Sequence, residues 1–474
     1  MNDVLDRLPP VRVEPDAPRR IRSENTRLSR RIAVLDDDPT GSQTVHGIDV
    51  VTDPDGSEIG AALEAPGSAC FILTNTRSLP ESEAVELNDR LGRSLHELGK
   101  RLDAPLAMVS RSDSTLRGHV IAEVRALDAA RRQVLGRGYD GVLLVPSYFE
   151  PGRFTAGDVH YARVGDRDVP VGETEFAGDA TFGYAASNLR DFVAEKSESS
   201  ISAADVHSVG LEDIRLGGPS RVAEILRGVT GGAFVVINAT EYADLEIVVL
   251  GLLEAEADGR AFLHRSGPSF VRALAGLEAQ EPLTRDDIWP EGHPGGHGLV
   301  VVGSHVGLTS SQVAVAQARG GLAEVELDVA LVADPAHRDE HVAEVAERVV
   351  AALADADVLL FTSRTLARGA DADESLTIAR GVSTALVEVV QAARAARPAW
   401  VVAKGGITSH DVAVRGLGIR RAEVLGQLFP GMVSVLRPIA APPEVVDMPY
   451  VVFAGNVGDE DTLADVVDRF RESR

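Results

Sequence analysis

Three consecutive carboxylates, Asp36, Asp37 and Asp38, directly follow the apolar run at residues 32–35. Like charges held a few ångströms apart repel each other, and burial increases the cost. The cluster therefore predicts that a cation or a bound proton lies beside it.

Hydroxyls, carboxylates and arginines also follow three later candidate strands, in segments 74–78, 110–119 and 145–162. Open parallel sheets bind ligands at the carboxyl ends of their strands. The mixture suits a polyhydroxylated acid, because arginine binds a carboxylate while Asp and Ser bind hydroxyls. Helix capping is the alternative, but the same character at four successive strand ends favours a site.

Arg77 and Arg111 are the expected partners of the acid's carboxylate. For Arg111, an ion pair with Asp113 or its neighbours is the alternative. His160 is the strongest functional candidate among the nearby histidines, and a structural role is its alternative. We do not expect a histidine metal site, and the metal ligands stay unknown.

Glycine-rich segments follow three candidate strands of the second half, at residues 303–312, 403–411 and 453–461. Glycines let backbone N–H groups close on phosphate oxygens, and a following helix dipole favours negative charge. Lys404, one of three lysines, stands directly before one glycine pair. None of these segments is a Walker A sequence, so each is a weak signal and only the set indicates a nucleotide site.

Composition narrows the class of protein. The net charge of -25 argues against nucleic acid and anionic membranes as partners, since both require a basic surface. The single cysteine, Cys70, precludes a disulfide framework within one chain. We see neither a secretory signal nor an apolar run long enough to span a bilayer, so we expect a cytoplasmic enzyme.

Alternation of apolar runs with amphipathic stretches predicts strands covered by helices. We expect helices at residues 81–102 and 119–135. The predicted strands are residues 32–35, 48–52, 70–75, 106–110, 142–146, 234–238, 299–304, 323–328, 357–363, 399–406 and 450–456. This pattern predicts an α/β protein of two α/β domains with mostly parallel sheets and an interdomain active-site cleft.

Breaks in the pattern suggest four segments. We predict an N-terminal arm at 1–29, a first α/β domain at 30–288, a Gly/Pro-rich linker at 289–298 and a second α/β domain at 299–474.

The chain resembles the four-carbon acid sugar kinase family over about residues 30 to 470. The matching stretches are LDDDPTGSQ, TNTRS, SRSDSTLRGH, PSYFEPGRFTAGDVHYA, VGETEFAGD, VVGSHVGLTSSQ, AKGGITS and VFAGNVGDEDTL. The resemblance implies an ATP-dependent kinase that phosphorylates the C4 hydroxyl of threonate, erythronate or 3-oxo-tetronate in sugar-acid catabolism. It also implies that residues 30–288 form an acid-sugar-binding domain and residues 299–474 a nucleotide-binding domain, with ATP and Mg²⁺ as cofactors and a possible homodimer.

The resemblance assigns residues to roles. Asp37 and Asp38 are the implied catalytic pair, and Asp38 is favoured as the general base. We expect Asp36 to bond to backbone donors at the strand end. The implied substrate-binding residues are Arg77, Ser112, Asp113, Ser114 and Thr115, to which the local chemistry adds Arg111 and His160. The implied nucleotide-binding residues are Ser304, Lys404, Gly405, Gly406, Ile407, Thr408, Gly455 and Asn456.

The chain departs from the usual family pattern at four positions: Asp36 is additional, Pro39 replaces an aromatic residue, Ile407 an acidic one, and Ala454 a proline. These departures leave the particular acid open.

Two other functions fit parts of the sequence. Asp36, Asp38 and Thr40 match the first motif of haloacid-dehalogenase-type phosphatases, but Leu463 stands where their late metal motif needs Asp. A non-catalytic sugar-acid-binding protein would share the loops of the first half, but it would have no use for the glycine segments of the second. ATP-dependent thermal stabilisation distinguishes it from a kinase.

Overall fold

The computed structural model describes residue 5 and residues 8–38, 41–54, 56–304, 306–364 and 372–471. Pro39 and Thr40, singled out above, lie outside the described residues. The chain divides into two compact units, Met1–Ala279 and Gln280–Arg474. In the described part of the chain, no helix combines the length and apolar character needed to cross a bilayer.

The first unit is built on an eight-stranded sheet. Its strands pair in parallel in the order β2-β3-β1-β4-β11-β5-β10-β9, and β6, β7 and β8 form a separate antiparallel sheet. The strands are β1 (Arg31–Asp36), β2 (Ile48–Val51), β3 (Ala69–Leu73), β4 (Leu106–Arg111), β5 (Gly141–Val145), β6 (Arg153–Ala156), β7 (Val159–Val164), β8 (Arg167–Pro170), β9 (His207–Val209), β10 (Ala233–Ile237) and β11 (Phe262–Ser266).

Helices flank this sheet. They are α1 (Ala17–Arg27), α2 (Glu58–Ala62), α3 (Glu81–Arg101), α4 (Val120–Leu135), α5 (Leu189–Lys196), α6 (Gly218–Arg227), α7 (Tyr242–Ala257) and α8 (Pro268–Ala275). Because helices cover parallel strands on both faces, the central strands are continuous apolar runs, and all six residues of β1 are buried. Within the predicted arm, α1 packs on α7 and α8, and Asn25 donates to the Leu274 carbonyl at 2.9 Å.

The second unit has a seven-stranded sheet in the order β13-β14-β12-β15-β18-β17-β16, of which the first five strands are parallel and the last two antiparallel. Its strands are β12 (Leu299–Val302), β13 (Leu322–Leu327), β14 (Asp357–Thr362), β15 (Val401–Lys404), β16 (Arg421–Phe429), β17 (Met432–Ala440) and β18 (Tyr450–Phe453). Its helices are α9 (Arg285–Ile288), α10 (Gly307–Arg319), α11 (Val329–Ala333), α12 (Arg338–Ala352), α13 (Ala372–Arg394), α14 (Gly406–Asp411) and α15 (Thr462–Phe470).

The prediction of two α/β domains with mostly parallel sheets is confirmed, as are the two predicted helices and the eleven predicted strands to within a few residues. The units separate between Ala279 and Gln280. Residues 289–298 contain neither helix nor strand, and Trp289 packs against Phe470 in the second core, with ring centroids 5.3 Å apart. As a linker, this segment stays a prediction.

Candidate active site

Neighbouring strands bring the predicted loops of the first unit together. β1 lies between β3 and β4, and Asp36 is in register with Leu73 on one side and Arg111 on the other. Because all three strands are parallel, the residues that follow them lie together at the carboxyl-terminal end of the strands, which we call this edge of the sheet. The aspartate cluster, the segment around Arg77 and the loop after Arg111 therefore lie at the same edge.

Asp36 is fully buried and belongs to the framework of this edge. Its Oδ1 accepts hydrogen bonds from Arg111 at 2.8 Å and from the Asp38 backbone N–H at 3.2 Å. Burial raises the pKa of Asp36 to about 6, although Arg111 acts in the opposite direction. A Cβ on Gly41 would overlap the Asp36 carboxylate, so only glycine fits there. The expected backbone bond is present, but the main partner is a guanidinium.

Asp37 is buried with an unsatisfied carboxylate. Neither of its Oδ atoms has a hydrogen-bond partner among the described residues. Arg111 lies 3.8 Å away and Arg77 lies 4.0 Å away, too far for direct hydrogen bonds. Burial raises the pKa of Asp37 to about 7, despite these two guanidinium groups. A carboxylate held in this way is typical of a functional site, where a ligand or proton completes it.

Arg77 lies among three carboxylates. It bonds to Asp38 and also lies 3.7 Å from Asp113 and 4.0 Å from Asp37. The side chains of Arg77 and Asp38 are 19% and 27% exposed, whereas those of Asp36, Asp37 and Asp113 are all under 10% exposed. Arg77 and Asp38 are thus the members of this cluster that a ligand reaches first.

The loop after β4 is held by its own hydrogen bonds. Asp113 accepts from Thr115 and from Arg117, the latter at 2.7 Å. Burial opposes ionisation of Asp113, but the hydrogen bond and charge of Arg117, the charge of Arg77 and the Thr115 hydrogen bond together outweigh it, and the pKa falls to about 2. Tyr184 donates to the Thr115 carbonyl at 2.6 Å. Asp113 is therefore a fixed negative charge, and the buried Ser112 lies directly beside it.

His160 holds this loop in place through the backbone of Ser114. Its Nε2 lies 2.8 Å from the Ser114 carbonyl and its Nδ1 lies 2.9 Å from the Thr155 hydroxyl. Burial lowers the pKa of His160 to about 4, so the ring is neutral near pH 7. Both nitrogens are engaged, which favours the structural alternative for His160. The buried Ser114 Oγ accepts a hydrogen bond from Arg153 at 2.7 Å.

The three glycine segments of the second unit also converge. β15 lies between β12 and β18, so the residues that follow these parallel strands share one edge. A Cβ on Gly455 would lie 2.8 Å from Ser304 Oγ, and one on Gly405 would lie 3.1 Å from Ser304 Cβ. Thr309 donates to the Gly455 carbonyl at 2.8 Å. Side chains larger than hydrogen would therefore close the space between these backbones.

Lys404 is buried beneath these loops. Its Nζ donates to the Ala454 carbonyl at 2.7 Å and lies 3.6 Å from the centroid of the Phe453 ring. Burial lowers the pKa of Lys404 to about 7. It therefore supports the last loop from below, while Ile407, 73% exposed, stands at the surface of the same edge.

The other predicted nucleotide-binding residues differ in accessibility. Gly406 begins α14, Thr408 is buried beside the glycine segments, and Asn456 is exposed. A Cβ on Gly303 would overlap Thr408 Oγ1, so the first and second glycine segments also approach each other closely.

Comparison with known proteins gives the family. Residues 32–274 match a model described as a sugar-binding N-terminal domain, and residues 299–463 match one described as a nucleotide-binding C-terminal domain. D-threonate kinase of Salmonella typhimurium is 27% identical over 455 residues, covering 92% of this chain and 97% of that protein. The chain belongs to the four-carbon acid sugar kinase family.

A second relative is also named a kinase, and two crystal structures share the fold. D-erythronate kinase of Heliobacterium modesticaldum is 28% identical over 291 residues, 61% of this chain and 59% of that protein. A Haemophilus influenzae protein superposes with a TM-score of 0.63 at 20% identity, over 92% of this chain and 99% of that one. A putative tRNA synthase of Salmonella typhimurium superposes with a TM-score of 0.68 at 17% identity, over 93% of this chain and 99% of that one. At these sequence identities, the two structures show similarity of fold alone.

The kinase assignment excludes the phosphatase and the non-catalytic binding protein. The structure agrees for the phosphatase, because Asp36 would be its nucleophile and is instead fully buried and paired with Arg111. Thr40, the third residue of that motif, lies outside the described residues.

Two charged residues near this kinase's candidate site, Arg265 and Glu123, were not expected from the sequence. Arg265, near the end of β11, is buried and bonds to Ser110 at 2.6 Å and to Glu123 of α4. A Cβ on Gly118 would lie 3.0 Å from Arg265 Nη2 and 3.1 Å from Asp37 Oδ2, so Gly118 leaves a gap between the two unsatisfied groups. The sequence signal that could have indicated them was that Arg265 and Glu123, two opposite charges, each closely follow a short apolar run.

Proposed function

We propose that the kinase transfers the γ-phosphoryl group of ATP to the C4 hydroxyl of a four-carbon acid sugar: threonate, erythronate or 3-oxo-tetronate. The observation that carries this proposal is the accessible pair of Arg77 and Asp38, backed by the unsatisfied Asp37. A cation that binds a carboxylate thus stands beside an anion that accepts a proton. The names of the two kinase relatives support the same substrate class.

The proposal gives each substrate-side group a task. Arg77 exchanges its carboxylate partners for the carboxylate of the acid. Ser112, Ser114 and Asp113 offer hydrogen-bonding groups to the hydroxyls. Arg111 stays with Asp36 as framework, because its guanidinium is already committed there at 2.8 Å.

The second unit provides the nucleotide side of the proposal. Backbone N–H groups around Ser304, Gly405 and Gly455 cradle the phosphates, since the glycines leave the backbone accessible. Lys404 holds the last of these loops in place rather than contacting phosphate, because its Nζ is directed to the Ala454 carbonyl. Mg²⁺ arrives as part of Mg·ATP, since this ion keeps phosphate and water ligands in most kinases.

The reaction balances without a covalent enzyme intermediate. The C4 oxygen forms a bond to the γ-phosphorus while the bond from that phosphorus to the β,γ-bridging oxygen breaks, releasing ADP. Asp38 orients the C4 hydroxyl and accepts its proton as the bond forms. Asp37 stabilises the guanidinium of Arg77, which holds the acid.

An ADP-release screen tests the proposal. The purified protein is incubated with Mg·ATP and each of D- and L-threonate, D- and L-erythronate and 3-oxo-tetronate. We expect acid-dependent ADP release with at least one of them and none without an acid. Arg77→Met is expected to raise KM for the acid by about 100-fold, as removal of a charge-assisted carboxylate contact would. If folded protein releases no ADP with any acid of the panel, the proposal is overturned.

A further inference from the structure

The first unit contains a cavity at the amino-terminal end of its parallel strands, whereas the candidate active site lies at their carboxyl-terminal end. It lies beside the amino ends of β4, β5 and β11, whereas Asp37 and Arg77 follow carboxyl ends of strands. Its volume is about 540 Å³, within the range of small-molecule sites. The cavity is thus a separate feature from the loops assigned to the acid sugar.

The charge around this cavity is opposite in sign to that of the molecule. The whole chain carries a net charge of -25. Cations outnumber carboxylates in the cavity wall, which contains Arg30, Lys100, Arg131, Arg137 and Arg260 against Asp103 and Glu256. A locally positive cleft on an acidic protein attracts small anions and concentrates them there.

Two of these cations, Arg131 and Arg137, have no carboxylate within 4 Å in the described part of the chain, whereas Lys100 pairs with Glu97 at 3.6 Å. Arg30 pairs with Glu256 at 3.0 Å and Arg260 with Asp140 at 3.2 Å. Arg131 is only 6% exposed, yet no carboxylate in the described part of the chain lies within 4 Å of its guanidinium, which stacks on Tyr139 at 4.7 Å. Its Nε donates to the Gly138 carbonyl at 3.3 Å, but a buried arginine with no carboxylate in direct contact is uncommon, because an ion pair normally offsets the cost of its burial.

Helix C-termini explain part of this pattern but not all of it. α3 and α4 both end at the cavity, and C-terminal turns favour cations such as Lys100. Arg137 directly follows Gly136, the C-cap of α4, and is favoured in the same way, whereas Arg131 stands before the last turn of that helix. Tyr139 and Phe262 add apolar surface to the same wall, which suits a ligand with a carbon framework.

We propose that this cavity binds a small organic anion that carries at least two acidic groups, either carboxylates or phosphates. Arg131 and Arg137 contact the acidic groups, and Tyr139 packs against the carbon framework. The inference does not depend on the proposed kinase substrate, because the cavity and the candidate active site share none of their residues.

Isothermal titration with two probes and two double variants tests this site. Tricarballylate represents carboxylates, pyrophosphate represents phosphates, and sorbitol is the uncharged comparison. Lys100→Glu/Arg137→Glu reverses two cavity charges. Arg101→Glu/Arg125→Glu reverses two exposed charges on α3 and α4 outside the cavity wall, so both variants have the same net charge.

We expect at least one charged probe to bind the wild-type protein and sorbitol not to bind. The cavity variant should lose affinity at least tenfold, and the control variant should stay within twofold of wild type. Equal affinities in both variants, or equal losses, overturn the proposal, as does failure of both charged probes to bind wild type. If the cavity double variant does not fold, the exposed Arg137→Gln alone is compared with Arg125→Gln, with the same criterion.

Discussion

Arg111 Nη1 donates a hydrogen bond to Asp36 Oδ1 at 2.8 Å, and the two residues are register partners at the ends of neighbouring parallel strands. This ion pair explains how a third aspartate is tolerated in the cluster. It also separates the arginines by task, because Arg111 is buried and committed while Arg77 is partly exposed.

Arg111→Met should therefore destabilise the protein rather than act only on substrate binding. The substitution leaves the buried Asp36 carboxylate without its main partner, at a cost of about 3–5 kcal/mol. Urea denaturation without ligand measures the change. Arg111→Met/Asp36→Asn should recover most of the loss, and Arg101→Met, at an exposed site, should cost under about 0.5 kcal/mol. A single variant as stable as wild type would contradict the ion-pair role.

Asp37 should make the protein less stable as the pH rises. Burial raises its pKa to about 7, so the folded chain binds this proton more tightly than the unfolded chain does, and ionisation above about pH 4 costs stability. Asp37→Asn removes that dependence. Relative to wild type it should gain on the order of 2–4 kcal/mol between about pH 4 and 8, measured by urea denaturation. Parallel pH curves for the two proteins would refute the raised pKa.

The proximity of the loops that follow β1, β3 and β4 was predictable from the sequence, because parallel strands place their carboxyl ends together. The Asp36–Arg111 pairing was not, since it depends on the register of β1 and β4. β11 escaped prediction because His264 and Arg265 interrupt its apolar pattern, and the compensating Glu123 lies on a distant helix. β16 carried a usable signal in its sequence, since Ala422, Val424 and Leu428 alternate with the polar Arg421, Glu423 and Gln427.

Asp38→Asn should lower kcat by about 10²–10⁴-fold, because an amide cannot accept the proton of the C4 hydroxyl. Binding of an ATP analogue should remain within threefold of wild type, since the proposed phosphate loops belong to the second unit. Steady-state ADP release and titration calorimetry measure the two effects. Asp166→Asn, in the exposed turn between β7 and β8, is the matched control. Turnover near wild type in Asp38→Asn would exclude Asp38 as the base.

Gly455→Ala should weaken ATP binding while leaving the acid-binding residues intact. The new Cβ would lie 2.8 Å from Ser304 Oγ, which narrows the space proposed for phosphate oxygens. We expect KM for ATP to rise at least tenfold, equivalent to about 1.4 kcal/mol. Gly381→Ala, in α13 of the same unit, is the control, because a Cβ there meets no atom within 4 Å and the residue lies outside the glycine segments. Equal KM values for the two variants would place the phosphates elsewhere.

Lys404→Met tests whether a buried ammonium organises the last glycine loop. The substitution removes the donor to the Ala454 carbonyl, so we expect a loss of ATP affinity of about 5- to 20-fold, an order of magnitude consistent with one hydrogen bond. Lys196→Met removes a hydrogen bond to the Gly183 carbonyl in the first unit and should leave ATP affinity unchanged.

The pH dependence of stability supplies the second readout for Lys404. Burial lowers its pKa to about 7, below that of the unfolded chain, so the unfolded chain holds more protons between about pH 7 and 10.5. Wild-type stability therefore gains a contribution over that range as the pH rises, and Lys404→Met lacks it. Relative to wild type, the variant should be most stable at or below about pH 7 and lose that advantage towards pH 10. A constant difference across this range in urea denaturation would show that Lys404 stays protonated, and the ammonium would then be a permanent counter-charge to the loop carbonyls.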